Sequence, residues 1–86
     1  MTNKKIYKEL NKIADQLNIK IIKGKGNFNG GVCVLKEELI IVLNKNKPIE
    51  ESIRNLAIAL LEFDISSISI NPKMQTLLDD YQYIKD

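Results

Sequence analysis

Val32-Cys33-Val34-Leu35-Lys36-Glu37-Glu38-Leu39-Ile40-Ile41-Val42-Leu43 sets two apolar runs around a short charged centre, and Leu56-Ala57-Ile58-Ala59-Leu60-Leu61-Glu62-Phe63 follows as the run poorest in polar residues. The first stretch reads as a strand hairpin around Glu37-Glu38, with arms at residues 31–36 and 39–44. Neither turn residue is the Gly or Asn that a tight primed turn prefers, so a loop a residue or two wider is expected. Leu39 to Leu43 shows no polar alternation, which predicts a strand covered on both faces, by its own chain or by a partner. The helix that follows is predicted over residues 48–62. Pro48 suits its first position, and Glu50 and Glu51 suit the positive end of its dipole. Ile49, Ile53, Leu56, Ala57, Leu60, Leu61 and Phe63 gather on one arc facing the sheet; Glu51, Arg54, Asn55, Ile58, Ala59 and Glu62 share the opposite half.

Working outward, residues 3–18 read as a helix with a stripe of Ile6, Leu10, Ile13, Ala14 and Leu17. Thr2 or Asn3 caps its start, and Asn18 suits the left-handed position at its end. Residues 19–25 are β-branched and read as a first strand, with Ile19 and Ile21 pointing one way and Lys20 and Ile22 the other. The Gly- and Asn-rich segment 24–31 reads as an irregular connection, with the Phe28 ring turned back onto the core. It is no Walker loop, because Gly30-Gly31 runs into strand sequence rather than a helix. Residues 64–70 are a connection with a short extended piece as an edge strand. Asn71 then caps a last helix begun by Pro72, with a stripe of Met74, Leu77, Leu78, Tyr81 and Ile84. The expected fold is α+β, one domain over residues 1–86, in the order helix, strand, hairpin, helix, short strand, helix. Its sheet is expected to be three-stranded and mainly antiparallel.

Composition narrows the chemistry. The chain has 86 residues, 44% hydrophobic and 28% charged, with a net charge of +2. That balance is too mild to argue for nucleic acid or an anionic membrane. There is no histidine, which excludes Ser-His-Asp and Cys-His catalysis and every histidine metal site. The single Cys33 forms no internal disulfide and fits a reducing cytoplasm. Between Val32 and Val34 it reads as a small buried hydrophobe. The N-terminal residues lead into a charged amphipathic pattern rather than the apolar centre of a signal peptide, and the longest apolar runs are too short to span a bilayer. The carboxylate pairs Glu62/Asp64 and Glu50/Glu51 read as solubilising charge, since acid–base work needs a shared cleft that splits their pKa values.

Ile40-Ile41-Val42-Leu43-Asn44, Pro48-Ile49-Glu50-Glu51 and Leu56-Ala57 together resemble the core of ImmA/IrrE-type zinc metallopeptidases over residues 31–63. Those have a strand reading roughly Ile-x-Val-Asn, a polar loop, and a helix carrying Leu-Ala-His-Glu-Leu-Gly-His. Matching Leu56-Ala57 to the family's Leu-Ala sets Ile58 at the first zinc histidine, Ala59 at the catalytic glutamate and Glu62 at the second histidine. The resemblance therefore implies a degenerate, metal-free form. Over more of its length the chain resembles a group of short uncharacterised bacterial proteins of Bacteroidetes type. The shared residues are Gly30-Gly31-Val32-Cys33, Leu43-Asn44-Lys45, Leu56 to Leu60, Asp64-Ile65 and Asn71-Pro72. Members often carry a basic residue after the Cys and an arginine after the proline, where this chain has Val34 and Lys73.

These readings lead to a non-enzymatic interaction or structural module with no cofactor and no metal. Its candidate surface is Arg54, Ile58, Ala59 and Glu62, and its expected partner is another protein chain or a second copy of itself. The alternative is weak nucleic-acid binding through Lys20, Lys23 and Lys25, with Lys45 and Lys47 beside them and Phe28 as a stacking ring.

Overall fold

The computed structural model describes residues 2–28 and 30–85, with the side chains of residues 35, 84 and 85 outside the description. Its elements are α1 (Asn3–Gln16), β1 (Lys20–Gly24), β2 (Gly30–Leu35), β3 (Glu38–Asn44), α2 (Ile49–Leu60) and α3 (Pro72–Lys85). The α+β class and element order are those expected. The sheet order is β1-β3-β2, so the last strand in sequence is central. β2 and β3 pair antiparallel, while β1 pairs parallel to β3, with Ile21 against Ile41 and Lys23 against Leu43. The sheet is thus mixed rather than mainly antiparallel. The chain takes the far edge with β2 before β3 fills the middle.

The central position of β3 explains its unbroken apolar run. Ile41 and Leu43 are buried against the helices, with Leu39 beside them. Ile40 points to the opposite face and is still only 3% exposed, flanked in register by Lys20 of β1 and Cys33 of β2. One chain covers it, so no second layer is needed on that face. Ile22, Val42 and Cys33 share this open face; Ile22 and Cys33 are exposed. The expectation of a buried Cys33 is corrected: it lies in an edge strand, on the side away from every helix.

All three helices contribute to one core on the other face. Leu10, Ile13 and Ala14 of α1, Ile53, Leu56, Ala57 and Leu60 of α2, and Met74 and Leu78 of α3 are buried together. Leu77 and Tyr81 flank the last pair, while Ile84 lies outside the described side chains. The caps follow the sequence. Thr2 Oγ1 accepts from the Lys5 N–H at 3.2 Å, and Asn71 Oδ1 accepts from the Lys73 N–H at 2.9 Å. Asn18 ends α1 at φ 59°. Pro48 stands one residue outside α2, in extended backbone with ψ 155°.

Two local expectations are corrected. The hairpin turns on Lys36-Glu37 alone, at φ 51° and 68°, with Leu35 opposite Glu38; it is a two-residue loop of the primed kind in spite of its side chains. Residues 65–70 form no strand. Asp64 Oδ1 accepts from the Ser66 N–H at 3.0 Å and the Ser66 hydroxyl at 2.6 Å, which bends the chain into turns, and Ile65, Ile68 and Ile70 are packed against the core from irregular backbone.

Candidate interaction surface

Of the four residues expected to form a surface, Arg54, Ile58 and Ala59 lie on α2, while Glu62 lies in the turn just past its end at Leu60, and the four differ in burial. Arg54 and Glu62 are exposed, Ile58 is half-buried, and Ala59 is only 5% exposed and belongs to the core. Assigning Ala59 to the solvent half of the helix is therefore a correction. The wheel gives one apolar direction, whereas α2 is buried on several sides by α1, α3 and the strands β3 and β2. The side of α2 nearest β2 borders an open groove of about 310 Å³. Asn55, Ile58 and Glu62 form one wall, and Gly30, Gly31 and Val32 form the other.

The glycines give this groove its shape. Gly30 adopts φ 107°, a conformation that L side chains rarely adopt, and a Cβ there would meet the carbonyl oxygen of Val42 at 2.5 Å. Gly31 has nothing within 4 Å of its missing Cβ. Two adjacent residues without side chains leave the backbone of an edge strand bare beside α2. No expectation from the sequence had joined Gly30-Gly31 to Ile58; the link is the strand order, which brings β2 to the edge under α2.

The matched peptidase positions do not fit a metal ion. Ile58 and Ala59 carry no donor atom, and Glu62 offers one exposed carboxylate where zinc takes three or four converging ligands. Among the described residues no group of three or more His, Cys, Asp or Glu side chains converges on one point. The carboxylate pairs are not brought to a shared cleft either. Glu62 borders the groove, Asp64 is engaged by Ser66, and Glu50 accepts from Asn3 Nδ2 at 3.3 Å.

Of the basic residues of the alternative surface, Lys23, Lys45 and Lys47 border one cavity of about 320 Å³ together with Lys4 and Tyr7, while strand alternation sets Lys20 apart from them. Lys20 lies on the open face of the sheet. Lys23 lies on the helix face, its ammonium 4.8 Å from the centroid of the Tyr7 ring. The Phe28 ring is half-buried against Gly24 and Gly26 rather than presented for stacking. Buried Asn44 holds that loop: its Nδ2 donates to the carbonyls of Gly26 and Phe28 at 2.6 and 2.7 Å, and its Oδ1 accepts from the Asn46 N–H at 3.0 Å. From the sequence Asn44 reads as the last residue of a hairpin arm, with nothing to mark it as the anchor of a loop.

No protein-family model, curated protein or solved structure matches this chain. No described helix is long and apolar enough to cross a membrane.

Proposed function

We propose that this chain is a non-enzymatic interaction module that receives another polypeptide along β2, in the groove between β2 and α2. The observation that carries the reading is the make-up of the edge. Gly30-Gly31-Val32-Cys33-Val34-Leu35 holds no charged residue and no proline, and Val34 is 65% exposed. Natural sheet edges are normally guarded by charges, prolines or bulges, because bare N–H and C=O groups template another strand. The other edge, β1, is guarded by Lys20 and Lys23. A peptidase-like scaffold emptied of its metal ligands is consistent with this use: the position of a catalytic helix survives as one wall of a binding groove. The working compartment is a reducing one such as the cytoplasm, where an exposed Cys33 persists as a thiol.

The test is gel filtration of fresh lysate containing the untagged chain, beside its Val34→Lys form. The wild type is expected to elute well above the 9.8 kDa monomer and the variant to fall back to it. Elution of the wild type as a monomer overturns the reading. Stoichiometric zinc in the untagged protein overturns the metal-free scaffold.

A further inference from the structure

The chemistry of the edge and of α2 together identifies the occupant. We infer that the partner is a second copy of this chain, joined β2 to β2 in antiparallel fashion about a two-fold axis through Val32. This rests on the interaction-module reading above.

The bonding direction of β2 follows from β3. The Lys45 N–H donates to the Gly24 carbonyl at 2.9 Å, so the odd-numbered residues at this end of β3 bond toward β1. By alternation the even-numbered ones, Ile40 and Val42, bond to their partners Cys33 and Gly31. Val32 and Val34 therefore direct their N–H and C=O groups to the open edge. An antiparallel copy centred on Val32 sets Val32 against Val32 and Val34 against Gly30 of the second copy. The exposed isopropyl group of Val34 is thereby matched by a residue with no side chain, twice. Isologous contacts of this kind are the commonest in soluble oligomers.

The same axis acts on α2. Paired strands lie about 4.8 Å apart, and α2 sits over both β3 and β2, so the two α2 helices come about 10 Å apart, a normal distance for packed helices. They run antiparallel and cross near Ile58, because Ile58 and Val32 border the same groove. Arg54 stands four residues before Ile58 on α2, and Glu62 four residues after it, in the turn that follows the helix, where it borders the groove beside Ile58. A two-fold axis at Ile58 sets Arg54 of one copy against Glu62 of the other, twice, with the Ile58 side chains between them. Neither residue has an ion-pair partner among the described residues of one chain. This self-complementary charge pattern selects a second copy over an unrelated extended peptide, which would answer only the strand.

The experiment is light scattering on the purified, untagged protein over a dilution series, with a charge-reversal cycle and a register probe. The wild type is expected at twice 9.8 kDa in the micromolar range. Arg54→Glu and Glu62→Arg are each expected to raise the dimer dissociation constant about tenfold or more, and the double reversal to restore most of the loss. Both residues are exposed, so circular dichroism should match the wild type. In the Val32 register Cys33 faces position 31 of the other copy. Gly31→Cys should therefore give a covalent dimer on mild oxidation. The wild type should not, because its two Cys33 lie on a diagonal about 7–8 Å apart, too far for a disulfide. Persistence of the dimer in both single reversals, or no disulfide from Gly31→Cys, overturns the two-fold arrangement. A purified wild type that stays monomeric at high micromolar concentration overturns the second copy. If such a protein still runs large in lysate and loses that size with Val34→Lys, the interaction-module reading stands alone; if it is monomeric in both settings, both readings fall.

Discussion

Gly30 and Val42 meet across the hairpin with no room for a side chain: a Cβ on residue 30 would stand 2.5 Å from the Val42 carbonyl oxygen, and the backbone of Gly30 is at φ 107°. A Cβ there meets backbone, which has no rotamer to yield. Gly30→Ala should therefore destabilise the chain by about 2 kcal/mol or more, combining left-handed strain with the clash. Gly31→Ala has open space and no restricted φ, so it should be neutral or stabilise by about 0.4–1 kcal/mol. Urea denaturation of the two variants distinguishes them; equal midpoints would remove the claim that only position 30 requires glycine.

The β2–β3 turn carries Lys36 and Glu37 at φ 51° and 68°, where Asn-Gly is the preferred pair. Combining Lys36→Asn with Glu37→Gly should stabilise the hairpin by about 1–2 kcal/mol by relieving strain at both residues. The readout is a higher urea midpoint at unchanged slope. A midpoint at or below that of the wild type would mean that the strain is relieved in some other way.

Periodicity was the legible part. The stripe Leu10, Ile13, Ala14 and the run Ile53, Leu56, Ala57, Leu60 are buried as their spacing predicts, and Thr2, Asn18 and Asn71 take the terminal roles their side chains suit. What the residues did not reveal is relational. An unbroken apolar strand reads the same whether it is covered by a second layer or flanked by two strands; Ile40 belongs to the second case because β1 pairs beyond β3. The tight turn at Lys36-Glu37 is imposed by strand register against local preference. Of the candidate surface, Arg54 and Ile58 were legible as a helix face, whereas Glu62, expected on the same helix, lies in the turn past its end. The surface's other wall, Gly30 to Val32, depends on strand order, which one helix's pattern does not encode.

Asn44 ties the loop before β2 to the sheet through two bonds from Nδ2 and one to Oδ1, at 2% exposure. Asn44→Ala should cost about 2–4 kcal/mol, since two carbonyls and one N–H lose their partner. Asn44→Asp should cost more at neutral pH, because it turns a second acceptor toward the carbonyls of Gly26 and Phe28. Burial and those carbonyls would hold the new carboxyl above its unfolded pKa. Its relative stability is therefore greatest at low pH and is lost as pH rises through the folded value. A stability difference between the two variants that does not grow from acid to neutral pH would contradict this.

Asp64 behaves in the opposite sense. The hydroxyl of Ser66, and then its backbone N–H, hold the Asp64 carboxyl below its ordinary range. With the folded value depressed, any stability it lends is present above the unfolded pKa and is lost as pH falls through the folded one. Carbon-detected NMR titration should show Asp64 as a low-titrating aspartate, and Ser66→Ala should raise its midpoint toward the ordinary value. An unmoved midpoint would remove the Ser66 hydroxyl as the main cause and leave the backbone N–H, which the alanine variant keeps.

Tyr7 holds a buried hydroxyl with no hydrogen-bond partner among the described residues, while its ring faces the Lys23 ammonium at 4.8 Å. Leaving such a group unsatisfied costs about 1–3 kcal/mol, so removing it should not hurt. Tyr7→Phe keeps the ring and its contact with the lysine, and is expected to leave stability unchanged or raise it by about 1 kcal/mol. Tyr7→Ala removes ring, packing and cation contact together and should cost about 2–4 kcal/mol. Thermal and urea denaturation of the pair separate the two contributions. A loss of more than about 1 kcal/mol in Tyr7→Phe would show that the hydroxyl is bonded in solution, and the Tyr7–Lys23 corner would then owe its stability to that bond rather than to the ring.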